Sequence, residues 1–427
     1  MPGRREARVF SLLAVVVGIG LCVWAVVLGF RGETFLGRPL GGDFVQFYVA
    51  GKILNNYQAW RIYDLKLAVD LQHATSPAMP QTQMLVFGQA PFIALLFRPF
   101  ALLPYGWAYV AWLVFSAAVY AAALALVFRA ARITPEDRTT GYLLAISAAP
   151  FLFETWIGGQ VSVMALLCWA LFFYCRYRNQ PFLAGMALAL LLFKPTLVAL
   201  PAAMLLCGRL WRMAAGLCAG AVGAALLSLG AVGWQGVRAW VDTLLFDSRF
   251  TQGPVPVSHL AKDVSGNAFL HLLLPAAPQL ATVMFLLAAA GGFAALAAAW
   301  WRRPNHGDAL WAATVCFALV LSPYTPIYDV VLVVPAAALL ASSMYGDQRD
   351  RTAFSGWLLL LYMTPWITQS FAEFLHFQPL TLALAAGGIW GLRVARKLRE
   401  TQGHRGAGKA SHALFFQHVT VRTEGNT

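Results

Sequence analysis

The stretch VFSLLAVVVGIGLCVWAVVLGF, residues 9–30, contains no charged side chain and directly follows Arg4, Arg5 and Arg8. A bilayer core is roughly 30 Å thick and needs about 20 apolar helical residues per crossing. The run therefore reads as a membrane-spanning helix that starts in the cytoplasm, since basic residues stay inside. It is long for a cleaved signal peptide and no small-x-small site precedes Arg31, so a retained signal anchor is expected. Comparable runs recur along the chain at 107–128, 141–157, 161–175, 181–207, 213–233, 279–301, 309–322, 328–345, 353–370 and 378–392, with a proline-interrupted run over 86–104. The expectation is an all-α polytopic membrane protein, a bundle of about 10–12 transmembrane helices with a long first extracytoplasmic loop.

Composition agrees, with 59% hydrophobic and 11% charged residues in 427, far outside the range of soluble domains. One polytopic domain over 1–399 is expected, with a polar cytoplasmic tail over 400–427 that reads as disordered. The net charge of +13 does not point to nucleic acid. The basic residues flank apolar runs, as in Arg4-Arg5, Arg209/Arg212, Arg302-Arg303 and Arg393/Arg396/Lys397/Arg399, which is the positive-inside pattern. The cysteines 22, 168, 175, 207, 218 and 316 sit in or at the ends of apolar runs; they read as small buried hydrophobes without a disulfide framework.

The topology of the first half has two readings. Twelve full crossings leave Arg129, Arg132, Arg138, Arg176 and Arg178 outside, against the charge rule. A re-entrant segment at 86–104 with a broken helix at Lys194-Pro195 brings them inside; the twelve-crossing reading is the one favoured. The first outer loop, 31–83, holds FVQFYVAGKIL and WRIYDLKLAVDLQ, read as short helices along the interface, and a second polar outer loop is expected over 234–278.

Some polar residues stand where they are costly. Lys194, in LALLLFKPTLVALP, is deep in its run, and an ionisable group there usually lines a cavity or substrate path. It either pairs with Glu154 or free carbonyls, or serves as a cavity cation for a phosphate or carboxylate. In FETWIGGQVS, residues 153–162, Gly158-Gly159 makes a tight turn and Gln160 begins the next helix, where free N–H groups can receive a ligand. LSPYTPIYD, residues 321–329, brings Tyr324 and Asp329 together with prolines at a membrane edge, suited to stacking on a sugar and accepting its hydroxyls, or simply to an aromatic belt. Asp43, in GGDFVQFYVAGKIL, follows two glycines where the first helix leaves the membrane; it is either a helix cap or a functional carboxylate. No Walker P-loop and no HExxH occur, which argues against ATP-driven transport within this chain and against a zinc peptidase.

The motifs GDFVQFYVAGKIL, RIYD, APFIALLFRPFALLP, GGQVS, LLFKPTLVALPAAMLLCGRLWR and LSPYTPIYDVVLVVPA, in this order over about residues 9–345, together resemble glycosyltransferase family 87. The resemblance implies a GT-C fold and transfer of a hexose, typically mannose, from a polyprenyl-phosphate donor to a glycolipid or glycan hydroxyl outside a bacterial cytoplasmic membrane. It implies Asp43 as catalytic base and Tyr48, Tyr63, Asp64, Gln160 and Lys194 as substrate-binding residues; Tyr324 and Asp329 are added to the substrate-binding set from the residues themselves, as a ring and a carboxylate at the membrane edge. Arg249 or Lys262 would join Lys194 at the leaving phosphate. No cofactor is implied beyond the lipid-linked donor, and the missing Asp-x-Asp motif agrees with a metal-independent reaction. The partners implied are that donor, the acceptor and membrane lipids, with no nucleic acid. The chain departs from the family where many members have Tyr-Pro-Pro, here FGQAPF with only Pro91 kept, and where many have a histidine, here Tyr324 with Asp329 as the remaining acid. The rival readings are a secondary transporter or flippase, which internal pseudo-symmetry would favour, and a scaffold that kept the fold without activity.

Overall fold

The computed structural model describes residues 4–35, 39–250, 257–302, 307–343 and 348–398; the expected tail over 400–427 lies outside them. The described chain is helical, with one isolated bridge between Asp263 and Pro326. Among the described residues, four helices are long and apolar enough to cross a membrane, Arg8–Phe30, Tyr105–Ala130, Trp211–Leu245 and Pro278–Trp301. The bent pair Pro150–Ile157 and Ser162–Tyr177 makes a fifth if taken as one span. Pro181–Phe193, Thr196–Cys207, Gly307–Val320 and Ile327–Ser343 are shorter apolar helices.

Side-chain contacts fix which ends lie together. Phe30 packs on Trp107, ring centroids 5.5 Å apart, while at the other end of the first helix Arg8 donates to Thr140 Oγ1 at 3.0 Å and to the Glu136 carbonyl at 2.9 Å. The Tyr105–Ala130 helix thus runs back toward the N-terminal end, and Arg129, Arg132 and Arg138 collect there beside Arg5 and Arg8. Arg176 joins them, since Arg132 lies over the Tyr177 ring. The segment 86–104 forms no continuous helix long enough to span. Prolines 91, 99 and 104 divide it into a turn of helix at Pro91–Ala94 and 3-10 turns at Leu95–Phe97 and Phe100–Leu102, because proline lacks the N–H a continuous helix needs.

The run 181–207 is two helices, not one. It breaks at Lys194, whose backbone sits at φ −127°, ψ 77°. Pro195 cannot donate to the Leu191 carbonyl, and the Lys194 N–H takes that acceptor at 2.8 Å in a 3-10 turn. This is the arrangement of the broken-helix reading rather than the favoured one.

The two helices expected in the first outer loop form at Phe44–Asn56 and Leu65–Thr75. The first of them is not an interfacial helix but part of the core. Phe44, Phe47 and Ile53 are fully buried, and Phe44 stacks on Trp112 at 5.7 Å and on Tyr105 at 6.0 Å. Inside hydrocarbon such packing, rather than escape from water, holds helices together. The same logic governs Gly216 and Gly220, spaced four apart, which let the backbone of the Pro181–Ala189 helix approach; a Cβ at Gly216 would overlap the Phe182 carbonyl. The second outer loop is shorter than 234–278, because the Trp211–Phe250 helix continues through a kink at Gly233 (φ 67°, ψ 179°).

Candidate active site

Two glycine turns meet at the end of the bundle away from the arginines. Gly41 (φ 80°) and Gly42 (φ 49°) lead into Asp43, and Gly159 (φ 71°) leads into Gln160; left-handed backbone of this kind costs a residue with a Cβ. The turns interlock. The Asp43 N–H donates to the Gly158 carbonyl at 3.0 Å, and a Cβ at Gly159 would stand 2.5 Å from the Gly41 carbonyl oxygen. Two tyrosines of one helix hold the turns from below, Tyr105 donating to the Leu40 carbonyl at 2.6 Å and Tyr109 to the Ile157 carbonyl at 2.7 Å.

This placement brings the Gln160 side-chain amide to Asp43, donating to Oδ2. Asp43 occupies the cap position of the Phe44–Asn56 helix but its side chain makes no capping hydrogen bond. Gln160 is 3% exposed, and its own N–H donates to the Thr155 carbonyl at 2.8 Å. That N–H is therefore not the open helix-end donor expected from the sequence. The segment before the turn, Pro150–Ile157, is π-helical, a geometry that concentrates at functional sites, and it meets Ser162–Tyr177 at a bend of 117°.

Two residues past Gln160 the second half of the site begins. Lys194 Nζ donates to Asp329 Oδ1 at 2.5 Å and to Ser162 Oγ at 3.2 Å, and Ser162 Oγ donates to the same Asp329 oxygen at 2.6 Å. The lysine and aspartate side chains are 10% and 4% exposed, so each meets the cost of burial through the other. Glu154, the partner weighed for Lys194 from the sequence, instead accepts from Gln369 at 2.9 Å. Lys194 Nζ also lies 4.8 Å from the centre of the Tyr328 ring, within cation–π range. Thr155 Oγ1 donates to the Tyr328 carbonyl at 3.0 Å, which ties the segment carrying Tyr328 and Asp329 to the π-helical turn. Ser162 and Tyr328 were not singled out from the sequence. Their signal was adjacency alone, Ser162 closing GGQVS and Tyr328 preceding Asp329.

Tyr324 is 54% exposed, at the mouth of this cluster. A strap formed by Asp263 pins the segment that carries it. Asp263 Oδ1 accepts the N–H groups of Ser265 and Thr325, both at 2.9 Å, while Val264 donates to Thr325 and Ile327 to Lys262 at 2.8 Å. Burial pushes the Asp263 carboxyl up to about 7, against the pull of those N–H donors. Lys262 is exposed, with its carbonyl in that strap; Arg249 falls in the Trp211–Phe250 helix.

The remaining first-loop residues face elsewhere. Tyr48 donates to the Leu103 carbonyl at 2.9 Å and Tyr63 to the Gln89 carbonyl at 2.7 Å; burial raises the Tyr63 hydroxyl above its ordinary range. Asp64 pairs with Arg61 at 2.7 Å and caps Leu65–Thr75 through the Leu67 N–H at 3.1 Å. The Arg61 hydrogen bond holds its carboxyl below the usual value. Among the described residues, hydrogen bonds join Asp43 to Gln160 and Lys194 to Asp329, while Tyr48, Tyr63 and Asp64 bond into the loop scaffold.

Depth follows from helix length. Ser162–Tyr177 has 16 residues and rises about 24 Å at 1.5 Å per residue, less than the roughly 30 Å of a hydrocarbon core. Ser162, at the start of that helix, and the Lys194–Asp329 pair that it touches therefore lie about 24 Å from the arginine end.

The family model for Glycosyltransferase family 87 matches residues 89–323, more than half of the chain. The match contains Gln160, Ser162 and Lys194 and ends just before Tyr324; Asp43 precedes it. No curated protein matches the chain.

Proposed function

The chain belongs to glycosyltransferase family 87, and from this premise we propose that this membrane glycosyltransferase transfers a hexose, mannose first among candidates, from a polyprenyl-phosphate carrier to an acceptor hydroxyl at the Asp43 end of the bundle. The observation that carries the reading is the Asp43–Gln160 contact across the interlocked glycine turns, beside the buried Lys194–Asp329 pair. The acceptor oxygen bonds to the anomeric carbon while the bond from that carbon to the phosphate oxygen breaks. The hydroxyl proton passes to the Asp43 carboxylate, acting as general base, and the electron pair leaves with the polyprenyl phosphate.

Gln160 orients the carboxylate so that no reorganisation is needed during reaction. Asp329 and Ser162 engage two of the three Lys194 N–H donors, and the third is assigned to a phosphate oxygen of the donor, where developing negative charge is stabilised most. Tyr324 and Tyr328 offer ring faces to the sugar. The arginines gathered at the opposite end, Arg5, Arg8, Arg129, Arg132, Arg138 and Arg176, support an outward-facing Asp43 by the positive-inside rule. The test is donor choice in proteoliposomes. Transfer is expected from polyprenyl-phosphate mannose and not from a nucleotide-linked sugar, and transfer from the nucleotide sugar alone would overturn the donor assignment.

A further inference from the structure

At the arginine end the helices Tyr105–Ala130 and Ser162–Tyr177 finish side by side, each followed by a left-handed residue, Arg132 at φ 55° and Asn179 at φ 55°. These turns satisfy the last helical carbonyls. Ile133 donates to Phe128 at 3.0 Å and Gln180 to Cys175 at 2.8 Å, so the negative ends of the helices are capped. Between them lies a cavity of about 210 Å³, lined by Arg132, Arg176, Tyr177, Asn179 and Asp308 among others.

The charges there do not balance. Asp308 binds Arg176 at 2.5 Å, whereas Arg132 is held over the Tyr177 ring at 5.6 Å and meets no carboxylate among the described ion pairs. Arg129 adds a further cation next door, over the Tyr174 ring at 6.0 Å. A guanidinium fork matches phosphate oxygens, and basic pockets between transmembrane helices at a membrane edge take phosphorylated head groups. The volume holds on the order of seven waters at about 30 Å³ each, enough for a phosphate with the first carbons of its esters.

We infer that this cavity binds a phosphodiester, that of an anionic phospholipid, between Arg132 and Arg176, at the opposite end of the bundle from Asp43. The site is independent of the sugar-transfer reading. Asp308 then competes with the phosphate for Arg176, which gives the site a sign that arginines serving only as topology signals would lack.

The experiment measures retention of phosphatidylglycerol and of phosphatidylcholine by the purified full chain, using native mass spectrometry, in wild type, Arg132→Asn and Asp308→Asn. Asparagine tolerates the left-handed backbone at 132, and thermal melting reports whether each variant is folded. Wild type is expected to prefer phosphatidylglycerol, Arg132→Asn to lower that retention about tenfold, and Asp308→Asn to raise it. Excess inorganic phosphate separates the sources, since lipid retained in its presence identifies the phospholipid and displacement identifies the phosphate group alone as ligand. No preference over phosphatidylcholine, or equal retention by folded wild type, Arg132→Asn and Asp308→Asn, overturns the assignment.

Discussion

Gln160 donates its side-chain amide to the carboxylate of Asp43, a residue 117 positions earlier in the chain. The contact exists because two glycine turns fit into each other, and neither turn could place its polar residue alone.

The fit makes a prediction for Gly159. Alanine there must adopt φ 71° and bring its Cβ within 2.5 Å of the Gly41 carbonyl oxygen and 2.6 Å of Phe44 Cβ. Gly159→Ala is expected to leave the helical content intact while separating the turns, with transferase activity falling by at least about tenfold through misplacement of Asp43. Circular dichroism beside the transfer assay checks this, and full activity would show that the turns can part without consequence.

Gln160→Leu removes the amide but keeps the bulk. Activity is expected to drop by roughly 10- to 100-fold, mostly in kcat, because the carboxylate loses its orienting partner while donor contacts elsewhere persist. A change confined to KM would assign Gln160 to substrate binding.

The Lys194–Asp329 pair separates stability from activity. Lys194→Met leaves the buried Asp329 without its cation and is expected to destabilise by about 3–5 kcal/mol, the range for a broken buried pair. The double variant Lys194→Met, Asp329→Leu is expected to recover most of that stability without recovering transfer. Recovery of both would make the pair purely structural.

Asp263 gives a pH dependence. Burial raises its folded carboxyl to about 7, above the ordinary aspartate value of about 4, so between those values the folded state holds the proton more tightly than the unfolded one. Its contribution is fully present below about pH 4, is lost as pH rises toward 7, and is flat above that. Asp263→Asn keeps an acceptor for the Ser265 and Thr325 N–H groups, and its melting temperature is expected to lose this slope. Melting curves in detergent across pH 5–8 for both proteins show whether the slope belongs to Asp263.

Much of this was legible because local rules carry it. The span at 9–30, the helices at Phe44–Asn56 and Leu65–Thr75, and the oddity of Lys194 follow from hydropathy and period. What was not legible depended on distant partners. Lys194 meets Asp329 across 135 residues, and nothing near Lys194 distinguishes that carboxylate from Glu154. The Phe44–Asn56 helix looks interfacial because its aromatics suit a membrane edge equally well; only the Tyr105–Ala130 helix crossing behind it makes it core. The 181–207 run looks continuous because apolar residues flank Lys194 on both sides, yet Pro195 removes one N–H and turns one helix into two. The extension of the Trp211 helix to Phe250 was hidden by polar residues that read as a loop.

The most direct test compares transfer of radiolabelled mannose from polyprenyl-phosphate mannose to membrane lipid and glycan acceptors by wild type and by Asp43→Asn, matched for expression and melting temperature. If Asp43 is the base, the variant retains the fold and loses roughly 100- to 10,000-fold in rate. Transfer at the wild-type rate by a folded Asp43→Asn protein would contradict the account.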